Sequence, residues 1–196
     1  MRGTKTESKT KKANKDLWQT PDNVVSYFED FIGREIVLDA ASSAANAVSR
    51  DFITEDDNAL ETNWLEHYTA HDGLVWLNPP FSNIKPFVER AIQMSDLGAN
   101  VCVLVTNSTC SHWFHQAFDR AESIFMPRGR IAFISAETGK PVGRNDRGTS
   151  VFYFKANNPN LYREPANKVY RPDIEEINEY PVNDRMKSIN RLGNYF

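Results

Sequence analysis

The sequence predicts an α/β domain, a mostly parallel central sheet with flanking helices. Three observations predict it. Short apolar runs bounded by turn residues alternate with segments of helical periodicity. Residues 35–39 end on a carboxylate, Asp39, followed by the small residues Ala40, Ala41, Ser42 and Ser43. Nucleotide-binding α/β folds need such a turn there, so that backbone N–H groups can approach the ligand. Finally, the apolar run Leu74–Leu77 passes straight into Asn78-Pro79-Pro80-Phe81. That places a polar amide at the carboxyl end of a strand, the edge where open α/β sheets bind ligands.

Taken in order, residues 1–15 carry six basic side chains against Glu7 alone, with almost no apolar content. They are expected to form a disordered basic tail. Order begins at Trp18-Gln19-Thr20-Pro21. Thr20 is suited to cap a helix with Pro21 at its first position. That helix covers 22–31, and Gly33 ends it. The first strand is 35–39, with a short helix at 46–50 and a short strand at 51–54. Glu55, Asp56 and Asp57 follow. In nucleotide-binding folds an acid about twenty residues after the first turn takes ribose hydroxyls. The three acids are not separable by spacing, and Asp57 with Asn58 is the choice for the nucleoside end. Ala59, Leu60 and Trp64 read as core or as an adenine-stacking wall.

After the Asn-Pro-Pro-Phe stretch, apolar residues at Ile84, Phe87, Val88, Ala91 and Ile92 mark a helix over 84–94. Gly98 stops it, 99–105 is a buried strand, and 110–120 is helical. His112 and His115 lie three apart on that helix, but no third ligand has suitable spacing, so no metal is implied. Strands at 122–126 and 131–135 flank Pro127-Arg128-Gly129-Arg130, and 149–154 is the last strong strand. Residues 135–148 form a polar, basic loop of a length that is usually functional or disordered. Beyond Ala156 the chain is rich in Asn, Pro and charge, a polar extension over 157–196 with no period. The folded domain is therefore placed at 16–156.

Composition narrows the classes. The net charge of −3 is small, but its distribution is uneven. Residues 22–72 hold twelve acids against Arg34 and Arg50, whereas Arg128, Arg130, Lys140, Arg144 and Arg147 face two acids across 128–147. This asymmetry hints at a polyanion surface separate from an acidic one. Cys102 and Cys110 make no disulfide framework. No stretch is long and apolar enough to span a bilayer, and no signal peptide is evident, so a cytoplasmic protein with no membrane partner is expected.

The central stretch has a chemical logic. Pro79 and Pro80 have no N–H to give and fix the backbone, and Pro79 pushes Asn78 away from helical dihedrals. The Asn78 side-chain oxygen and the Pro79 carbonyl are two stiffly held acceptors. Together they can grip both hydrogens of an –NH2 group, favouring a nitrogen whose lone pair is free to attack. Phe81 offers a face for a planar ring.

Asn78-Pro79-Pro80-Phe81 resembles the catalytic tetrapeptide of amino-group methyltransferases that use S-adenosylmethionine. The ordered set is more specific. It comprises Trp18-Gln19-Thr20-Pro21, Leu38-Asp39-Ala40-Ala41, Asn46, Asp57-Asn58-Ala59-Leu60, Trp64, the tetrapeptide, Trp113-Phe114, Gly129-Arg130-Ile131-Ala132-Phe133 and Gly148-Thr149-Ser150. Over about residues 16–155 it resembles the phage-type DNA N-6-adenine-methyltransferase family. The resemblance implies a Rossmann-like methyltransferase fold and methyl transfer from S-adenosylmethionine to N6 of a flipped adenine in double-stranded DNA. It implies catalytic roles for Asn78, Pro79, Pro80 and Phe81. Cofactor binding falls to Trp18, Thr20, Pro21, Asp39, Ala40, Ala41, Asp57 and Asn58. The Asp39 carboxylate suits the ammonium and sulfonium of that cofactor. Arg128, Arg130, Lys140, Arg144 and Arg147 are expected on DNA. The turn after Asp39 departs from the usual pattern in having no glycine. Methylation of an RNA amine or a protein glutamine, and a DNA-binding or host-blocking module without catalysis, are the alternative readings. Oligomeric state is not legible.

Overall fold

The computed structural model describes residues 18–67, 73–135, 138–142, 147–157 and 168–192. The expected basic tail and Arg144 lie outside the described residues. In chain order the elements are β1 (Trp18–Gln19), α1 (Asp22–Ile32), β2 (Ile36–Asp39), α2 (Trp64–His67), β3 (Leu74–Leu77), α3 (Ile84–Asp96), β4 (Val101–Thr106), α4 (His112–Arg120), β5 (Ser123–Phe125), β6 (Ile134–Ser135), β7 (Thr149–Phe154), β8 (Lys168–Tyr170), α5 (Ile174–Asn178) and α6 (Asp184–Leu192).

Six strands form the main sheet in the order β2-β3-β4-β7-β5-β8. β2, β3 and β4 run parallel, β7 runs against both β4 and β5, and β5 is parallel to β8. Every residue of β3, β4 and β7 is buried, as strands covered on both faces require. Leu38, Val75, Val103 and Phe152 face α3 and α4 in one apolar layer, with Trp64 of α2. Ile36, Trp76, Leu104 and Val151 face α1, α5 and α6 in the other. Trp64 is core, its indole N–H donating to the Ala59 carbonyl at 2.8 Å.

The strand order places the site. Phe52 bridges Asp39 in parallel on one flank of β2, while β3 pairs with the other flank. The chain therefore leaves β2 to one side and returns on the other. The tips of β2 and β3 flank a topological switch point, where open α/β sheets form their ligand crevice.

Several elements differ from the sequence expectation. Pro21, not Thr20, holds the N-cap position of α1, at φ −62° and ψ 144°, and its carbonyl accepts the N–H groups of Val24 and Val25 at 3.0 and 3.2 Å. Residues 46–50 form turns instead of a helix. There Asn46 Oδ1 accepts the Ser43 N–H at 2.7 Å and Asp39 Oδ2 accepts the Val48 N–H at 3.0 Å. Side chains that take backbone donors in this way compete with helix. Residues 51–54 supply only the Phe52 bridge. Of 131–135 only β6 is extended, and it pairs with β1 in a separate two-stranded sheet, Trp18 opposite Ser135. The described residues 138–142 of the basic loop return antiparallel to 133–135 as one arm of a hairpin: Val142 N–H donates to the Phe133 carbonyl at 2.7 Å and Ser135 N–H to the Lys140 carbonyl at 3.0 Å. Beyond Ala156, β8 joins the sheet edge and α5 and α6 bury Ile174, Ile177 and Met186.

Candidate active site

Asn78 follows the last residue of β3, half-buried between the two prolines' stiff backbone and the β1 strand. Its Nδ2 donates to the Trp18 carbonyl at 3.1 Å. That bond fixes which end of the amide points where. The oxygen is left buried, with no partner among the described residues. A buried acceptor without a donor costs about 1–3 kcal/mol, and this one has both lone pairs available to a donor. Pro79 is buried and Pro80 half-buried. No cis bond occurs among the described residues.

Phe81 is half-buried in an aromatic cluster. Its ring meets Phe133 edge-on at 5.7 Å and Trp18 edge-on at 6.3 Å, and Trp18 stacks on Phe133 at 5.7 Å. Trp18 thus serves the site twice, through its carbonyl on Asn78 and its ring beside Phe81.

The turn after β2 is built differently from a phosphate cradle. Ala40 N–H donates to the Trp76 carbonyl at 2.8 Å, Ala41 N–H to Asp39 Oδ1 at 3.4 Å, Ser42 N–H to the Ile53 carbonyl at 3.1 Å and Ser43 N–H to Asn46 Oδ1. All four donors are used within the protein, so the expectation that backbone N–H groups of this turn reach a ligand does not hold. Asp39 explains the missing glycine: its carboxylate, 3% exposed, shapes the turn by accepting from Ala41 and Val48. Burial pushes its pKa up from 3.8 to about 6, against the pull of those two N–H groups. Ala40 is buried and Ala41 half-buried beside it.

Asp57 Oδ2 accepts the Thr54 N–H at 3.0 Å and the Thr54 hydroxyl at 2.6 Å. These bonds hold its carboxyl below the ordinary range. Asn58 adopts φ 56° and receives the Leu60 N–H on Oδ1 at 3.2 Å. Both residues therefore close the acidic loop upon itself, with Glu55 and Asp56 exposed next to them.

Arg128, Arg130, Lys140 and Arg147 are all exposed. Arg128 follows the carboxyl end of β5 and pairs with Asp173 at 3.9 Å. Lys140 sits on the hairpin that extends β1 and β6, and Arg147 Nη1 reaches the Ser108 hydroxyl after β4 at 3.4 Å. These segments share the carboxyl edge with Asn78.

Two further hydroxyls stand out. Thr20 and Thr149 are 8% and 2% exposed, and neither Oγ1 has a partner among the described residues. Thr149 opposes Thr106 at the carboxyl end of β4. Its Gly148 neighbour is packed so closely that a Cβ there would lie 2.7 Å from Asn107 Nδ2. Thr20 was expected at the site; Thr149 was not. Its only sequence signal was its place in the family-like Gly-Thr-Ser stretch.

The family model described as DNA N-6-adenine-methyltransferase (Dam) matches residues 7–178. The chain is 35% identical over 156 residues to the DNA N-6-adenine-methyltransferase of Haemophilus phage HP1 (strain HP1c1), covering 79% of this chain and 87% of that protein. It is 33% identical over 161 residues to the DNA N-6-adenine-methyltransferase of Escherichia phage T1, covering 74% of this chain and 65% of that protein. A 66-residue stretch is 35% identical to the putative methyltransferase YfdM of Escherichia coli (strain K12).

Proposed function

The chain belongs to the DNA N-6-adenine-methyltransferase (Dam) family and methylates adenine in DNA, and we propose that the donor is S-adenosylmethionine and the acceptor the N6 of an adenine swung out of the duplex. The observation that carries this reading is the buried, unpartnered Asn78 oxygen, held in place by the Trp18 carbonyl.

The residues present fit that donor. It brings an electrophilic methyl group on sulfur, and it carries no phosphate. The turn after β2, with no N–H to spare, suits such a ligand. Trp18, Thr20 and Pro21, together with Asp39, Ala40 and Ala41, are the residues that would hold it, with the Asp39 carboxylate supplying the negative charge. Thr20 Oγ1 has no partner among the described residues and could bond a ligand. At the nucleoside end, the Asp57–Thr54 and Asn58 contacts hold the acidic loop in shape.

Asn78 Oδ1 and the Pro79 carbonyl each accept one N–H of the adenine amine. This would draw the nitrogen lone pair out of conjugation with the ring and orient it for the methyl group that the donor would supply, whose bond to sulfur breaks as the amine gives up a proton. Pro80 keeps the backbone stiff. Orientation of this kind supplies on the order of 7–11 kcal/mol at best. The base stacks against Phe81, whose own orientation Trp18 and Phe133 fix. Extrusion costs a few kcal/mol of lost stacking, partly returned in the pocket. Thr149 Oγ1 bonds the far edge of the ring. It lies two strands across from Asn78, roughly 10 Å, and about two residues further along, roughly 7 Å; a purine with a hydrogen bond at each end spans a gap of that order. Arg128, Arg130, Lys140, Arg144 and Arg147 meet the phosphates around it, positioning the duplex without reading it.

The test is methyl transfer from isotopically labelled S-adenosylmethionine by the unaltered protein and by Asn78→Ala, offered adenine oligonucleotides, RNA and protein. The variant is expected to bind cofactor normally and to lose turnover. Near-normal turnover, or a preference for protein or RNA acceptors, overturns the reading.

A further inference from the structure

We propose that Arg185 is a positioning residue, which from helix α6 braces the turn that shapes the cofactor end of the site. Helix α6 lies beyond residue 178, where the family match ends. The inference rests on the reading that the Asp39 turn borders the cofactor.

The contacts form one continuous chain. Glu29 of α1 is buried, and its Oε1 accepts the Ile36 N–H at 2.7 Å. The same oxygen meets Arg185 Nη2 at 2.6 Å, and Oε2 accepts from Asn183 Nδ2 at 2.7 Å. Arg185 Nη1 donates to the Val48 carbonyl at 2.9 Å. The Val48 N–H donates in turn to Asp39 Oδ2. Ile36 opens β2 and Val48 closes the turn after it. The Glu29–Arg185 pair therefore grips both ends of the segment that carries Asp39. Met186 anchors the helix, buried in the same apolar layer as Val48 and Trp76.

Arginine is the residue this geometry asks for. Its planar fork serves two acceptors in two fixed directions, whereas a lysine ammonium is a single point charge. Without the brace, the Val48 carbonyl loses its donor, and the Val48 N–H no longer holds the Asp39 carboxylate at one distance. Cofactor binding is then expected to weaken, while the amine grip at Asn78, on the next strand, is untouched.

Arg185→Ala leaves Glu29 buried and uncompensated, which by itself can unfold the region. The informative variants are therefore the neutral pair Glu29→Gln with Arg185→Met, and Arg185→Lys. In full-length protein, calorimetric titration with S-adenosylhomocysteine is expected to give a Kd about tenfold higher for both. The KM for S-adenosylmethionine rises in step. At saturating cofactor, kcat and the KM for an adenine oligonucleotide stay within about twofold. A Kd equal to that of the unaltered protein, alongside a lower melting temperature, overturns the brace and leaves only a structural ion pair. Failure of the unaltered protein to bind S-adenosylhomocysteine overturns the cofactor reading beneath it, and the brace with it.

Discussion

The Asn78 amide donates to the main-chain carbonyl of Trp18 at 3.1 Å, across sixty residues of sequence. The bond decides which atom of the amide is left for the proposed acceptor amine. A carboxylate cannot make it: Asn78→Asp would set one oxygen against the Trp18 carbonyl oxygen. That variant is expected to bind cofactor normally and lose at least about tenfold in kcat, equivalent to about 1.4 kcal/mol. Single-turnover methylation with saturating cofactor measures it.

Trp18 also supports Phe81 through its ring. Trp18→Ala removes a nearly buried indole stacked on Phe133. Buried aromatic truncations cost about 3–5 kcal/mol. Urea unfolding is expected to show a loss in that range, and the surviving folded fraction is expected to have a raised KM for DNA. Both variants keep the main-chain carbonyl, and Trp18→Phe also keeps part of the stack, and most of the activity with it.

Asp39 gives a pH signature. Its carboxyl binds a proton more tightly in the folded chain, at about 6, than at its ordinary 3.8. Between those values the native state holds more protons than the unfolded state, so this group's contribution to stability falls as pH rises. It is fully present below about pH 3.8 and lost above about 6, an effect of roughly 3 kcal/mol for a group this deeply buried. Unfolding free energies at several pH values between 4 and 7 are expected to show that decline, and Asp39→Asn is expected to flatten it. Cofactor affinity runs the other way, weakening below pH 6 as the carboxylate is neutralised.

Thr149→Val separates stability from use. The hydroxyl is buried with no partner among the described residues, so an isosteric methyl in its place is neutral or stabilising, by about 1 kcal/mol. Methylation is expected to fall about fivefold in kcat/KM on DNA. Unchanged kinetics would remove Thr149 from the base pocket.

Gly129 is a control outside the chemistry. It sits at φ 111°, and a Cβ there would lie 2.3 Å from Ile174 Cγ2. Gly129→Ala combines backbone strain with overpacking against α5, and a loss of about 2–4 kcal/mol is expected. Thermal melting measures it.

What was legible in the sequence was local. The run Leu74–Leu77 and the Asn-Pro-Pro-Phe that follows are contiguous, so strand, breaker and amide are read from neighbours. Strand 149–154 and the Gly33 end of α1 were legible for the same reason. What was not legible depends on partners far apart in the chain. Nothing near Thr20 says that Pro21 will take the cap and leave its hydroxyl unused. Asp39 read as a charge for a ligand, because its partners Ala41 and Val48 are backbone donors that no side-chain pattern announces. The C-terminal segment read only as a polar extension, a wrapping arm or a loose one, since its hold on the domain is a few pairs such as Arg185 with Glu29 and Met186 with the apolar layer of α1, spaced without period.

The self-contained turn at residues 40–43 also bears on competition. Adenosine triphosphate and the dinucleotides share the adenosine half of the proposed methyl donor and crowd the same solution, but each must find somewhere to rest its negative oxygens. Here every candidate amide is already taken by the chain, and the acid beneath repels what arrives. The same economy of donors that dispenses with glycine would make this crevice inhospitable to the commonest look-alikes of the proposed ligand.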